Sequence, residues 1–212
     1  MTYIKKKTNI VNSKKKIHIV DDIAYKSSEL VRYHNELKEA IKDNLINSFV
    51  LPQINDGQKK SKYGAYKAKI DDYVFDSVME ARFYVYLLKQ QKDNIISKIE
   101  RQVKFELQPS FINALGKKEV AINYIADFVI YVEDKPLVID VKGKETADFK
   151  IKKKMFEYKY LDIPFVCVQW CTMTHDWEDL EHIKKMKRLK KKEAKLKDSI
   201  LTDTNQKIKK AG

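Results

Sequence analysis

Cysteine is scarce in this sequence, which limits the kinds of site that the chain can form. Only two cysteines occur among 212 residues, Cys167 and Cys171, four positions apart in the apolar run PFVCVQWC. Zinc sites need further Cys or His ligands at characteristic spacings, and no such pair follows here. We therefore interpret both residues as small hydrophobic side chains in a reducing compartment. A disulfide between two residues so close in one strand is sterically unfavourable.

Long hydrophobic runs are also missing. No stretch of about 18 consecutive apolar residues occurs, so no membrane-spanning helix is expected. The first residues, MTYIKKKTNIVNSKKK, lack the apolar segment of a secretory signal, and the expected location is a cytoplasm. Hydrophobic residues nevertheless make up 43% of the chain, which is enough to bury one compact core that carries extensions.

Basic residues are abundant and concentrate at the two ends of the chain. The formal net charge is +13. Residues 1–20 contain six Lys and no acid, and residues 182–212 contain twelve Lys and Arg against three acids, whereas the part between them is nearly neutral. Such ends suit a polyanion, because neutralising phosphates releases counterions, although RNA binding or simple solubility would give the same pattern.

Hydrophobic periodicity and turn residues predict a helical extension followed by a mixed α/β core. A helical pattern follows Ser27 and Ser28, either of which can be the N-cap, and it continues to Phe49 before Pro52. Residues 1–25 have the composition of a basic arm, and residues 53–62 have that of a linker. The elements predicted after it are a hairpin around Asp71 and Asp72, a helix over 77–91, strands at 101–111, 120–133 and 137–143, a helix over 147–161, a strand at 165–170 and a Lys-rich helical tail over 178–200. The order predicts an α/β fold with an antiparallel three-stranded meander and a last strand that joins after a helical crossover.

Two acids and an amine occur in strands that are otherwise apolar. Asp140 and Lys142 are two apart in LVIDVKG and so share one face, for which a surface ion pair is the ordinary interpretation. Asp127 lies inside INYIADFVIYV, where a carboxylate must be solvated, paired or bound to a metal. If the two strands pair through the turn near Asp134, both carboxylates lie close together. A divalent cation such as Mg²⁺ would relieve their repulsion.

Glu80 has two interpretations. Ser77 and Glu80 fit the S-x-x-E capping box, in which the glutamate completes a helix N-terminus. A glutamate carried on this helix could instead be a further metal ligand. One rotamer cannot fill both roles, and the sequence leaves the two open.

Four segments in this order, FDSVMEARFY, RQVKFELQ, YIADFVIY and LVIDVKG, resemble the PD-(D/E)XK nucleases. Within these nucleases, the chain resembles small phage-encoded proteins grouped with Holliday-junction resolvases, over about residues 62–171. The resemblance implies a restriction-endonuclease-like α-β-β-β-α-β core. In this interpretation residues 61–177 form the nuclease domain, between a basic and helical extension (1–60) and a Lys-rich helical tail (178–212).

The resemblance also implies roles for individual residues. Glu80, Asp127 and Asp140 would bind Mg²⁺, for which Mn²⁺ can substitute, and Lys142 would position the attacking water or stabilise charge. Gln102 matches a position where related enzymes carry a glutamine near the site. Ala126 stands where the signature has Pro, a change that leaves the neighbouring carboxylate intact.

Lysines after the Asp140 strand are candidates for contacts with DNA phosphates. They are Lys144, Lys150, Lys152 and Lys153. The last three alternate with apolar residues such as Phe149 and Phe156, so the solvated side of an amphipathic helix explains them equally well.

The leading hypothesis is a Mg²⁺-dependent, structure-selective endonuclease that acts on branched DNA in phage or mobile-element recombination, in the cytoplasm of a bacterial host. A homodimer would place two sites on one junction. Two alternatives remain: a restriction- or transposase-like nuclease that cuts duplex DNA, and a non-catalytic nucleic-acid-binding or assembly protein on a nuclease scaffold. Lys and Arg contacts with phosphates carry no sequence information, so weak sequence preference is expected.

Overall fold

The computed structural model describes residues 18–21, 23–25, 27–52, 66–142 and 145–211. Of the basic arm predicted over 1–25, only residues 18–21 and 23–25 are described, and they contain two short paired strands, which the sequence did not predict. The predicted linker at 53–62 lies outside the described residues. Contacts divide the chain into two compact units, Met1–Ser97 and Lys98–Gly212. The three domain limits expected from the sequence remain a prediction.

The first unit combines two helices with short antiparallel strands. Its elements are β1 (His18–Val20), β2 (Ile23–Tyr25), α1 (Ser28–Lys42), β3 (Phe49–Val50), β4 (Ala68–Ile70), β5 (Tyr73–Phe75) and α2 (Val78–Lys92). Strands β4 and β5 form the predicted hairpin, and β3 adds to it as a third strand. The helix predicted over 77–91 is confirmed as α2.

Helix α1 is shorter than predicted. Ser27 caps it by accepting a hydrogen bond from the backbone N–H of Leu30, but the helix ends at Lys42 rather than near Phe49. Asn44 adopts a left-handed conformation with φ of 54°, which terminates the helical path. The carboxylate of Asp71 then accepts hydrogen bonds from the backbone N–H groups of residues 47 and 48, at 2.8 and 2.7 Å. The apolar residues that follow therefore enter β3.

The second unit is built on a five-stranded sheet in the order β12-β11-β10-β9-β6. Its elements are β6 (Lys98–Gln108), β7 (Phe111–Ile112), β8 (Lys118–Glu119), β9 (Ile122–Val132), β10 (Lys135–Val141), α3 (Ala147–Lys159), β11 (Phe165–Cys171), β12 (Asp176–Asp179) and α4 (Leu180–Ala211). The predicted antiparallel meander is confirmed as β6, β9 and β10. Strand β11 pairs parallel to β10 after the α3 crossover, as predicted. The α/β class is therefore confirmed, and the small strands β7, β8 and β12 were not predicted.

Helix α3 covers one face of this sheet through aromatic side chains. Thr146 caps the helix, and Phe149 and Phe156 point into the core seven residues apart. The ring of Phe156 lies 4.9 Å from that of Phe105 on β6 and 5.3 Å from that of Phe165 on β11. One side chain thus contacts strands towards opposite edges of the sheet, on the same face. Full burial of such a ring contributes about 1.5–3 kcal/mol.

Helix α4 confirms the predicted helical tail and extends beyond it, to Ala211. Leu180 and Ile183 are buried in its first turn, and residues 187–198 are exposed. None of the described helices is both long and apolar enough to cross a lipid bilayer.

Candidate functional site

Strands β9 and β10 bring Asp127 and Asp140 together. Their antiparallel register runs from Lys135–Val132 to Ile139–Phe128, so Asp140 and Asp127 are the next residues along each strand. The backbone N–H of Val141 donates a hydrogen bond of 2.9 Å to Oδ2 of Asp127. The carboxylate of one strand is thus held against the backbone of the other, one residue beyond Asp140.

Asp140 is an acidic side chain enclosed by protein, with 1% of its surface exposed. The hydroxyl of Tyr124, itself buried, donates a hydrogen bond to Oδ1. Oδ2 lies 2.7 Å from Nζ of Lys142, which supplies compensating charge, yet no donor among the described residues is aligned to make a hydrogen bond with this oxygen. One carboxylate oxygen therefore keeps coordination capacity. Burial, followed by the charge of Asp140, raises the pKa of Tyr124 well above its usual value, so the hydroxyl remains a donor.

Lys142 is placed at the end of β10 by its backbone. Its N–H donates to the carbonyl of Val168 on β11 at 3.0 Å. Its side chain is 30% exposed, and Nζ lies 5.0 Å from the centre of the Phe149 ring. The ammonium group is therefore held beside Asp140 while part of the side chain reaches solvent.

Gln102 occupies the register position opposite Asp127. The pairing of β6 with β9 passes from Arg101–Phe128 to Val103–Ala126, and Gln102 lies between these pairs with a left-handed φ of 51°. A residue with a side chain costs roughly 1–2 kcal/mol in this conformation. Such strain is found preferentially at functional sites, so it adds a structural reason to consider Gln102 beside the one given by the resemblance.

Glu80 lies in the first unit, at the start of α2, where it takes part in capping. The Ser77 hydroxyl accepts from the backbone N–H of Glu80 at 3.1 Å and donates to its Oε1 at 2.9 Å. Its carboxylate is thus engaged at the helix N-terminus, as in the first of the two interpretations. The metal-binding role implied by the resemblance stays a prediction.

Asp127 and Asp140 are the carboxylates of this arrangement that could hold Mg²⁺. Across the part of the chain that the structure describes, no group of three or more His, Cys, Asp or Glu side chains is arranged to hold a metal ion. Mg²⁺ needs fewer, because it commonly takes one or two carboxylates and completes its shell with waters and phosphate oxygens. Asp127 and Asp140, with the buried Oδ2 of Asp140, fit that requirement.

A family model matches residues 60–179 and is described as a protein of unknown function, DUF1064. The chain belongs to the DUF1064 family. No curated protein matched the sequence. The DUF1064 segment contains α2 and every strand and helix from β4 to β12, and with them all five residues that were predicted to be catalytic.

The predicted DNA-binding lysines of the DUF1064 segment differ in their surroundings. Lys144 lies outside the described residues. Lys150 is exposed, and Nζ of Lys152 lies 3.7 Å from Asp148. Lys153 is only 20% exposed, because its Nζ lies 3.8 Å from Sγ of Cys167 and 5.4 Å from the centre of the Phe165 ring. Lys150 and Lys152 are therefore better placed than Lys153 to meet a phosphate.

Both cysteines of the DUF1064 segment are free and buried. Burial raises the pKa of Cys167 to about 12, so its thiol stays protonated, and a protonated thiol is not a metal ligand. This agrees with the interpretation of Cys167 as a small hydrophobic side chain, and the burial of Cys171 agrees with the same interpretation.

Two interacting groups near the site were missed in the sequence. Tyr124 could have been found, because a tyrosine inside a buried strand needs a partner for its hydroxyl and Asp140 is on the neighbouring strand. The second is the ion pair between Lys184 and Glu145, at 2.5 Å, which joins α4 to the segment after β10. A separation of 39 residues gave no local signal for it.

Proposed function

We propose that this DUF1064 protein is a Mg²⁺-dependent DNA endonuclease of the PD-(D/E)XK type. The observation that carries the proposal is the arrangement at the ends of β9 and β10. There the buried Asp140 keeps one oxygen without an aligned donor, the Asp127 carboxylate is fixed beside it, and Lys142 lies 2.7 Å away. Carboxylates that serve only in a structural ion pair are seldom buried to this degree, because desolvating a charge is costly.

Each residue of this arrangement has a chemical task in phosphodiester hydrolysis. Asp127 and Asp140 would hold the cation, and the hydrogen bonds from Val141 and Tyr124 orient their carboxylates. When bound, Mg²⁺ supplies a Lewis acid that polarises the scissile phosphate and activates a water. Lys142 carries a partly exposed ammonium group that can orient a nucleophile or neutralise charge on the phosphate.

Branched DNA is the first substrate class to test, since the sequence resembles junction resolvases. The resemblance also assigns metal binding to Glu80 and a position near the site to Gln102. The variants Glu80→Gln and Gln102→Ala test each of these assignments separately.

A non-catalytic nucleic-acid-binding protein is the second candidate. It is favoured by the ion pair between Lys142 and Asp140, which satisfies much of the buried charge without a cation. It is also favoured by the finding that no group of three or more His, Cys, Asp or Glu side chains among the described residues could hold a metal ion.

The deciding experiment incubates the purified chain with labelled four-way junction, flap, single-stranded and duplex DNA, in Mg²⁺, Mn²⁺ or EDTA. Wild type is expected to cut at least one substrate with metal and none in EDTA. Asp140→Asn and Lys142→Met are expected to lower the rate by roughly 10²-fold or more, the scale of losing one group that stabilises transition-state charge.

Asp134→Asn is the matched control for Asp140→Asn. Asp134 is an exposed carboxylate in the turn between β9 and β10 with φ of 61°, a conformation that Asn tolerates well. The Asp134→Asn variant should therefore cut DNA at the rate of wild type. If wild type binds these DNAs but cuts none with either metal, the endonuclease proposal is wrong and the non-catalytic candidate replaces it.

A further inference from the structure

Helix α4 is anchored to the second unit at its start, in part through a residue that lies close in sequence to the candidate site. Leu180 and Ile183 are buried, and Nζ of Lys184 lies 2.5 Å from Glu145 and 2.6 Å from Glu181. These two carboxylates raise the pKa of Lys184, so the ion pairs persist at neutral pH. Glu145 comes three residues after Lys142, so the helix is fixed to the segment that follows β10.

Beyond this anchor, one face of α4 is uniformly basic. We define the basic stripe as Lys185, Arg188, Lys191, Lys192 and Lys195, all exposed and lining one open concavity of the surface. At 3.6 residues per turn these five positions lie within about 120° of the helix circumference. Glu193 falls outside that sector and Asp198 lies about 20° beyond its edge, so within the sector the stripe presents one sign of charge.

The stripe repels itself, which argues for an anionic partner. Arg188 with Lys192, and Lys191 with Lys195, are like-charged neighbours at a spacing of four residues, and such pairs destabilise a helix. The stripe extends over about 15 Å, a distance over which duplex DNA presents several phosphates at one charge per roughly 1.7 Å of its axis. A line of phosphates therefore matches the stripe in charge and in length.

Two other occupants fit these residues less well. A membrane surface needs an apolar helix face opposite the charges, but that side carries Lys190, Glu193 and Lys197. A second copy of α4 would bring two positive stripes together, with only Leu189 and Leu196 as large exposed apolar residues in this part of the helix.

We propose that the basic stripe of α4 binds the phosphate backbone of duplex DNA, including the duplex arms of a branched molecule, independently of base sequence. The choice of DNA as the polyanion rests on the proposed function. The binding itself requires neither a metal ion nor cleavage. Because α4 is tied to Glu145, the stripe would hold a duplex arm on the unit that carries Asp127 and Asp140.

The test compares two triple variants of the full chain that lose the same charge. The stripe variant is Arg188→Gln, Lys192→Gln and Lys195→Gln; the control variant is Lys187→Gln, Lys190→Gln and Lys197→Gln, on the other sides of the same helix. Duplex binding is measured by fluorescence anisotropy in EDTA over a series of salt concentrations. Circular dichroism checks that both variants keep the helix content of wild type.

The stripe variant is expected to bind duplex DNA at least about 10-fold more weakly, with a salt slope lower by about 2–3, since each phosphate contact contributes about 0.9. The control variant should change the slope by less than about 1. Equal losses in both variants, or none in either, would overturn the proposal. So would binding of the stripe to phosphatidylserine vesicles with no binding to duplex DNA. Failure of the proposed function is a separate result, in which wild type binds duplex DNA in EDTA but never cuts when Mg²⁺ is added.

Discussion

The hydrogen bond between Tyr124 and Asp140 gives a prediction whose size follows from the structure. Tyr124→Phe removes the hydroxyl and keeps the ring, which contacts Phe156 and Phe165 at centroid distances of 6.1 and 5.3 Å. A hydrogen bond to a charged group contributes about 1.5–3 kcal/mol, and here the acceptor is 1% exposed, so no water replaces the lost donor. We expect a loss of about 2 kcal/mol in the free energy of unfolding, which moves the urea midpoint by about 1 M at a slope of about 2 kcal/mol per M.

The assay uses tryptophans that the protein already has. Its two tryptophans, Trp170 and Trp177, lie on the paired strands β11 and β12 with ring centres 5.8 Å apart, so their emission reports unfolding of the second unit. Tyr131→Phe is the matched control. Its hydroxyl also donates to a carboxylate, that of Glu100 at 3.1 Å, but this acceptor is 34% exposed and water can replace the donor. The control variant should lose about 0.5–1 kcal/mol in the free energy of unfolding. If both variants lose the same stability, the buried hydrogen bond does not carry the strength assigned to it.

Three further predictions concern stability and ionisation. Gln102→Gly should raise the free energy of unfolding of the second unit by about 1 kcal/mol in the same urea titration, because it relieves the left-handed strain; destabilisation would show that the conformation is not strained. Glu36→Gln should lower the free energy of unfolding by about 1–2 kcal/mol, because Arg82 is buried and held by Glu36 through two hydrogen bonds of 2.5 and 2.9 Å. Urea unfolding followed by circular dichroism measures this, and an unchanged urea midpoint would contradict it. Because burial raises the pKa of Cys167 from 9.0 to about 12, the stability tied to the protonated thiol is complete below pH 9 and is lost as pH rises towards 12. Cys167→Ala should therefore lose stability less steeply above pH 9 than wild type, and parallel pH curves would refute it.

The sheet of the second unit could be predicted because local signals were strong and agreed with one another. Alternation and β-branched residues marked β9 and β10, and the turn at Asp134 fixed their register, which was enough to place Asp127 near Asp140. The end of α1 could not be predicted, because its apolar spacing continues to Phe49. It is the left-handed Asn44 and the distant carboxylate of Asp71 that direct this segment into a strand.

The candidate site was predictable in its acids and less so in its supporting contacts. Asp127, Asp140 and Lys142 stood out because charged groups are unusual in apolar strands. The left-handed backbone conformation of Gln102 could not be predicted from its residue type, because the surrounding structure can hold a residue of any type in a strained conformation. The contact of Lys184 with Glu145 depends on how tertiary packing positions the start of α4 relative to the segment after β10.

The hydrogen bond from the Val141 N–H to the Asp127 carboxylate has a consequence for how this protein can vary. That N–H would otherwise be available to extend the ladder between β9 and β10, so a side chain, not a backbone carbonyl, marks the last rung. Asp127→Asn keeps an acceptor oxygen and should leave the end of the β9–β10 ladder unchanged while removing the charge. Asp127→Ala removes both and frees the backbone group to find another partner. Asp127 therefore sets both the end of the ladder and the position of a negative charge, and a relative with Asn at this position would keep the strand pairing while losing the charge that the proposed metal binding requires.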